Sequence, residues 1–242
     1  MKKKVSIVIP ARDEEKSISL VLTDLMKIID SLKEKYDFEV IVVDDHSQDE
    51  TAGIAKKFGD IVIRNEASPG KGNALRCGFQ KAHGQIFIMM DADYSHRPEE
   101  VPAFLRAIER GAGLVIGSRA LGGSEEYTAI RTVGNIFLTG CVNLLFGTKL
   151  TDSLNGYKGF RREVFTKNYY NSESFEIEIE IIANSVRMGM GIVEIVSRER
   201  ARKEGKAKSS VIIHGTKFLL RIIKESMRYK FPRNYMTKKR DA

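Results

Sequence analysis

Five short runs rich in Val and Ile punctuate the first half of the chain: "VSIVI" at 5–9, "EVIVV" at 39–43, "DIVI" at 60–63, "QIFIMM" at 85–90 and "GLVIG" at 113–117. They are apolar almost throughout rather than at alternate positions, which predicts strands covered on both faces. Between them apolar residues recur at helical spacing over 15–34, 49–58, 71–82 and 98–110. Strands and helices in alternation imply an α/β fold: a mostly parallel sheet with helices on both faces. In such sheets ligands bind beyond the carboxyl ends of the strands, so the loops after each strand are where chemistry belongs.

Those loops are polar in a consistent way. Pro10-Ala11-Arg12-Asp13-Glu14 follows the first strand, Asp44-Asp45-His46-Ser47 the second, Asp91-Ala92-Asp93 the fourth and Ser118-Arg119 the fifth. Asp91 and Asp93 end an apolar run one residue apart, and two like charges so placed repel unless a cation or hydrogen bonds absorb them. A metal ion and a solvated turn both meet that need. "DDHSQDET" reads equally as a ligand loop or as a turn with a helix cap. "SPGKGNALRCG" has the glycines of a phosphate loop without the GxxxxGK[ST] spacing, so Gly70, Lys71 and Gly72 carry little alone, and no GxGxxG marks a dinucleotide cofactor.

Charge changes the picture at one end only. Of the net +8, the stretch from Lys217 to Arg240 holds nine Lys or Arg against the single acid Glu225, which leaves residues 1–216 near +1. In "KFLLRIIKESMRYKF" a helix would set Leu219, Ile222, Ile223 and Met227 on one stripe and Lys217, Arg221, Lys224 and Arg228 on another. That pattern fits a helix on an anionic membrane surface, or a helix packed on its own domain with a solvated basic face. A pI near 9.4 invites nucleic acid as a partner, but the basic residues lack interleaved aromatics, and a phosphate-backbone binder has no use for carboxylates at its cleft. No nucleic acid is expected.

Cys77 and Cys141 have no CxxC spacing, which predicts a reduced cytosolic protein. The apolar run behind the basic N-terminus is too short for a signal peptide, and no run reaches the ~18 apolar residues of a membrane span. The nearest, Val133 to Gly147, is interrupted by Asn135, Thr139 and Asn143, and Thr128 to Phe146 reads as either an interfacial element or a core helix.

Taken in order, "IVIPARDEEKSI", "VIVVDDHSQDET", "GKGNALRCG", "IMMDADYSHRPEE", "VIGSR" and "DSLNGYKGFRREVF" resemble the family 2 glycosyltransferases of GT-A fold. The similarity is strongest to the polyprenyl-phosphate branch typified by the dolichol-phosphate mannose synthases, and it covers roughly residues 4–210. It implies a catalytic domain over 1–212 and a basic, membrane-interfacial segment over 213–242. It implies further that Pro10, Arg12, Glu14, Val43, Asp45 and Lys71 serve the nucleotide sugar. Asp91, Ala92 and Asp93 would hold the diphosphate, with Asp91 and Asp93 on Mg²⁺ or Mn²⁺. Arg119 and Arg131 would meet phosphates where donor and acceptor join, and Arg202 and Lys208 would close on the diphosphate. The expected partners are a GDP- or UDP-sugar, a polyprenyl or dolichyl phosphate and the cytosolic face of a membrane. Three positions depart from the pattern: Arg12 stands where the family often has Tyr or Phe, His46 where it has Gly, and Ser95 where the mannose synthases have Gln. "FEIEIEI" at 175–181 is similar to branch members that use other hexoses, so the resemblance does not imply mannose.

The implied reaction breaks a sugar–diphosphate bond, and a hard cation on both phosphates would take up the charge that develops. A lipid phosphate, with a second pKa of roughly 6, is already an anion near neutral pH and needs cations to place it more than a base. A hydroxyl acceptor would need a base, for which Asp152 in "TDSLNGY" is the candidate, or else that residue anchors its loop.

Overall fold

A computed structural model of the chain describes residues 2–58, 61–203 and 211–230. The first half runs β1 (Lys3–Ala11), α1 (Ile18–Leu32), β2 (Tyr36–Asp44), α2 (Thr51–Lys56), β3 (Ile61–Arg64), α3 (Lys71–Lys81), β4 (Ile86–Met89), α4 (Val101–Glu109) and β5 (Leu114–Ser118). The second half runs α5 (Arg119–Gly122), α6 (Ala129–Phe146), β6 (Lys158–Arg161), α7 (Arg162–Thr166), α8 (Ile177–Arg187), β7 (Ile192–Val196) and α9 (Val211–Lys230). The five expected strands are all present. Unforeseen are β6, whose four residues "KGFR" carry too little hydrophobic signal, and the edge strand β7.

The seven strands lie in the order β3-β2-β1-β4-β6-β5-β7, parallel except for β6, which runs antiparallel to both β4 and β5. Successive side chains point to opposite faces, and the core divides accordingly. Val5, Ile7 and Ile9 of β1 face α1, α2 and α4, whereas Val8 faces α3. Phe87 and Met89 of β4 lie on that second face with α6, α8 and α9, where Phe79 and Phe87 stack at 5.4 Å. Both faces are covered, which is why the strands read as continuous apolar runs.

Strand order reverses at β1, which has β2 on one side and β4 on the other. Ala11 pairs with Asp44 and Val8 with Met89, so the loops carrying Arg12, Asp45 and Asp91 leave the sheet at one level. All three loops contain a non-glycine residue in left-handed conformation: Asp13 (φ 51°), His46 (φ 62°) and Tyr94 (φ 67°). This accounts for the departure at 46, where a glycine would adopt the same backbone without strain. His46 holds it with a ring nitrogen 2.8 Å from the Ala67 carbonyl oxygen.

Two helices differ from expectation. The stripe predicted for α9 splits: Ile222 is buried against the domain beside Phe218 and Leu219 packs partly on it, whereas Ile223 and Met227 face outward with Leu220. Its basic face splits too. Arg221 reaches Glu180 of α8 at 3.0 Å, and Arg187 and Arg228 each hold the fully buried Glu225 at 2.9 Å. A carboxylate buried with no counter-charge costs several kcal/mol, so this cluster ties α9 to α8. The second case is α6, whose inward residues include Asn135 and Thr139 while Ile130 (71% exposed), Val133 (67%), Phe137 (59%) and Leu144 (83%) point outward. Against expectation, this helix is long and apolar enough to cross a membrane by length and composition, with a mean hydropathy of 1.4. It packs along α9, with Leu138, Val142 and Phe146 in the core and a second apolar side turned outward.

Candidate active site

The loops after β1, β2 and β4 enclose a cavity of about 300 Å³. Pro10, Arg12, Glu14, Asp45, Lys71, Asp91, Ala92, Asp93 and Arg202, which the resemblance assigns to the nucleotide sugar, all line it. Val43 does not: its side chain is fully buried against α3, under Gly78, because alternation along β2 turns it into the core. Lys208 lies outside the described residues.

Asp45 is held by two donors. Its Oδ1 accepts from Asn65 Nδ2 at 2.7 Å, and its carboxylate accepts from Gly70 N at 2.9 Å. That contact brings the start of α3 against the end of β2. The helix is fixed from its other side by the Glu173 carbonyl, which accepts from the N–H groups of Gly72 and Asn73 at 3.0 and 3.2 Å. Only a glycine fits at 72, since a Cβ there would meet the Ser172 and Ser174 carbonyl oxygens at 2.5 and 2.7 Å. The "GKGNA" stretch thus serves close backbone packing, and Lys71 is its product.

Lys71 Nζ lies 2.7 Å from Asp91 Oδ1, 3.1 Å from Glu178 Oε1 and 5.3 Å from the centre of the Phe175 ring. Burial disfavours its charge, but the two carboxylates outweigh burial and raise its pKa above the ordinary lysine value. Burial likewise works to raise the Asp91 carboxyl. The Lys71 charge, helped by Arg202, overrides it and holds Asp91 below its ordinary value. Asp93 accepts from Ser95 N at 3.0 Å and pairs with Arg202 at 3.2 Å. Arg202 is delivered there because Arg200 N and Lys203 N bond to the carbonyls of Ser95 and Asp93.

A second cavity of about 210 Å³ shares Lys71, Asp91, Asp93, Phe175, Arg202 and His214 with the first and extends between α6 and α9. Arg119 and Arg131 line it, as expected. Arg119 carries its own counter-charges: Asp152 takes it bidentately at 2.7 and 3.0 Å, Glu199 lies at 3.3 Å and the Tyr127 ring at 4.9 Å. Asp152 is fully buried and also accepts from Asn135 Nδ2 at 2.9 Å, so it anchors Arg119 and its loop. Arg131 has no ion pair among the described residues. Sequence reading missed Glu178, His96, His214 and Glu199. The visible signal for the first was an acid recurring in an otherwise apolar helix, "FEIEIEI".

Lys158 is buried beneath this site and donates to the carbonyls of Ser153, at 3.1 Å, and Asn155. Burial pushes its pKa down, to about 8, against the pull of Glu178 and Asp152.

Asp91 and Asp93 offer oxygen donors to a hard cation, and each now faces a side-chain cation, Lys71 or Arg202. Among the described residues no cluster of three or more His, Cys, Asp or Glu is placed to hold a metal. A divalent ion held by these two carboxylates would take its remaining positions from phosphate oxygens and water, the usual Mg²⁺ arrangement.

Comparison with known proteins gives the family and the fold. The glycosyl transferase family 2 model matches residues 6–168. The dolichol-phosphate mannosyltransferase of Pyrococcus furiosus is 31% identical over 230 residues, which is 91% of this chain and 64% of that protein; the chain thus spans under two thirds of that relative's length. The dolichyl-phosphate hexose transferase of Haloferax volcanii is 29% identical over 81% of this chain and 84% of its own. Among solved structures, glucosyl-3-phosphoglycerate synthase from Mycobacterium tuberculosis, in complex with Mn²⁺, UDP and phosphoglyceric acid, superposes with a TM-score of 0.76 at 21% identity, covering 93% of this chain and 78% of that one. That likeness carries the fold, a GT-A-type sheet.

The buried lysine gives a pH prediction. Unfolding returns Lys158 to an ordinary pKa of 10.5, so between pH 8 and 10.5 the unfolded chain binds a proton that the folded chain does not. Stability measured by urea unfolding should rise with pH across that window, relative to Lys158→Met, and the difference should be flat below it.

Proposed function

The chain belongs to glycosyl transferase family 2, and from that premise we propose that it is an inverting, metal-dependent hexosyltransferase that moves sugar from a nucleotide diphosphate to a polyprenyl phosphate at a membrane's cytosolic face. The observation that carries the acceptor is α6. Its first turn gives Arg131 to the second cavity, and the same helix turns Ile130, Val133, Ile136 and Phe137 to the outside. A phosphate headed into that cavity would come from the side on which an apolar surface waits. Leu220, Ile223 and Met227 of α9 are likewise exposed, with Lys217 on the same outer side. Apolar residues flanked by lysines suit an interfacial helix on anionic lipid, where each basic residue near the surface contributes about 1 kcal/mol. The names borne by the Pyrococcus and Haloferax relatives support the same acceptor class.

In this reading the first cavity takes the nucleotide, with Asp45 at its inner end and the diphosphate between Asp91, Asp93, Lys71 and Arg202. A bound Mg²⁺ or Mn²⁺ would act as a Lewis acid on the diphosphate. Lys71 and Arg202 supply further charge to the leaving oxygen as the sugar–diphosphate bond breaks. The lipid phosphate, already anionic, attacks the anomeric carbon from the opposite face. Arg131 and the outer edge of Arg119 orient it. No carboxylate is needed as base, and Asp152, the sequence candidate, is committed to Arg119.

Purified protein with Mn²⁺, short-chain polyprenyl phosphate and a panel of GDP- and UDP-hexoses should form a lipid-linked sugar from one donor. Asp93→Ala should lower that rate by about a hundredfold or more, as loss of a transition-state charge contact does. Slow donor hydrolysis with no lipid product would instead point to a hydroxyl acceptor. Independently, Phe137→Asp with Leu144→Asp should abolish sedimentation with anionic vesicles and leave turnover on detergent-dispersed acceptor within about twofold, because neither side chain supports the core.

A further inference from the structure

Asp91 can meet a diphosphate or its cation only if the backbone that carries it holds still, and one side chain joins that backbone to two other walls of the site. His96 is 2% exposed. Its Nδ1 accepts the Asp91 backbone N–H at 3.0 Å, and its Nε2 lies 3.1 Å from Asn155 Oδ1. A ring nitrogen that accepts an N–H bears no proton, so the proton sits on Nε2 and is donated to Asn155. The amide of Asn155 is oriented by its own partners: Oδ1 also accepts from Tyr157 N at 3.1 Å, and Nδ2 donates to the Gly117 carbonyl at 2.5 Å. Gly117 lies two residues before Arg119. The imidazole is stacked flat on Tyr157, 4.7 Å between centres and 14° between planes.

Two obvious roles for a histidine beside paired aspartates are thereby excluded. With both nitrogens engaged it is neither a metal ligand nor a proton acceptor for substrate. We propose that His96 is a positioning residue: a neutral bridge that fixes the Asp91 main chain to the turn at 152–157 and to the end of β5, presetting the first carboxylate for the cation and diphosphate. The proposal rests on the functional reading above. It also gives a reason for the spacing "DADYSH": the left-handed residue Tyr94 folds the loop back so that the sixth residue reaches the backbone of the first.

The test uses Mn²⁺ with UDP and with GDP, followed by calorimetry and by the loss of the free Mn²⁺ signal in electron paramagnetic resonance. In His96→Phe the ring can still stack on Tyr157, but both hydrogen bonds are gone. The expected result is about a tenfold loss of the Mn²⁺-dependent part of nucleotide binding, the scale of one well-made hydrogen bond, with cation-free binding unchanged. His96→Gln, which can accept from Asp91 N and donate toward Asn155, should recover most of it. If His96→Phe does not fold, Asn155→Ala, which leaves the ring unanchored, takes its place with a loss in the same direction. Mn²⁺-dependent binding in these variants equal to that of the unmodified protein would overturn the proposal, as would equal losses with and without Mn²⁺. Absence of any Mn²⁺-dependent nucleotide binding in the unmodified protein would overturn the functional reading itself, and this proposal with it.

Discussion

The site depends on the ion pair between Lys71 and Asp91. Two strand-end aspartates with a single alanine between them would repel each other and the buried Glu178 of α8, and three such carboxylates could not be brought together uncompensated. Lys71 meets Asp91 and Glu178 together. It can do so only because α3 begins where backbone contacts from Asp45 and Glu173 place it. Arg202 does the same for Asp93 from the opposite side. The result is a cleft in which negative charge is concentrated and already balanced, so an arriving cation and diphosphate exchange partners rather than introduce new charge.

The second half of the molecule turns this cleft toward an acceptor. Asp152 and Glu199 hold Arg119 at the cleft wall, and α6 brings Arg131 alongside. The helix that does this packs Leu138, Val142 and Phe146 into the core beside the buried Asn135 and Thr139, yet exposes a second set of large apolar residues on its other side, more than packing alone requires. α9 is clamped to α8 by buried charge, and His214, Gly215 and Phe218 near its start line the same cavity. The outward apolar face and the catalytic cleft therefore share two rigid helices, an arrangement suited to a reaction between a soluble donor and a lipid.

Much of this was legible in the sequence. β1, β2, β4 and β5 announce themselves because strands buried on both faces must be apolar throughout, and the acids and glycines behind them mark where ligands bind. Asp45, Lys71, Asp91, Asp93 and Arg202, assigned to one site by the resemblance, line one cavity. What could not be read were pairings across long separations. Nothing near Arg119 shows that Asp152, 33 residues on, will neutralise it, and periodicity cannot say which side of α9 faces the domain. Val43 was misplaced because a motif names positions, whereas the strand's alternation decides where a side chain points. Glu178 stands in "FEIEIEI" and His96 in "DADYSH", but their roles exist only once β4, α8 and the turn at 152–157 meet.

The most direct test is the position of the cation. Crystals grown with Mn²⁺ and the nucleoside diphosphate that binds should show, at the manganese absorption edge, one anomalous peak within bonding distance of Asp91 or Asp93 and of the diphosphate, with Lys71 and Arg202 turned onto phosphate oxygens. A nucleotide bound in the cleft with no peak beside these carboxylates, and with the Lys71–Asp91 pair intact, would contradict the account.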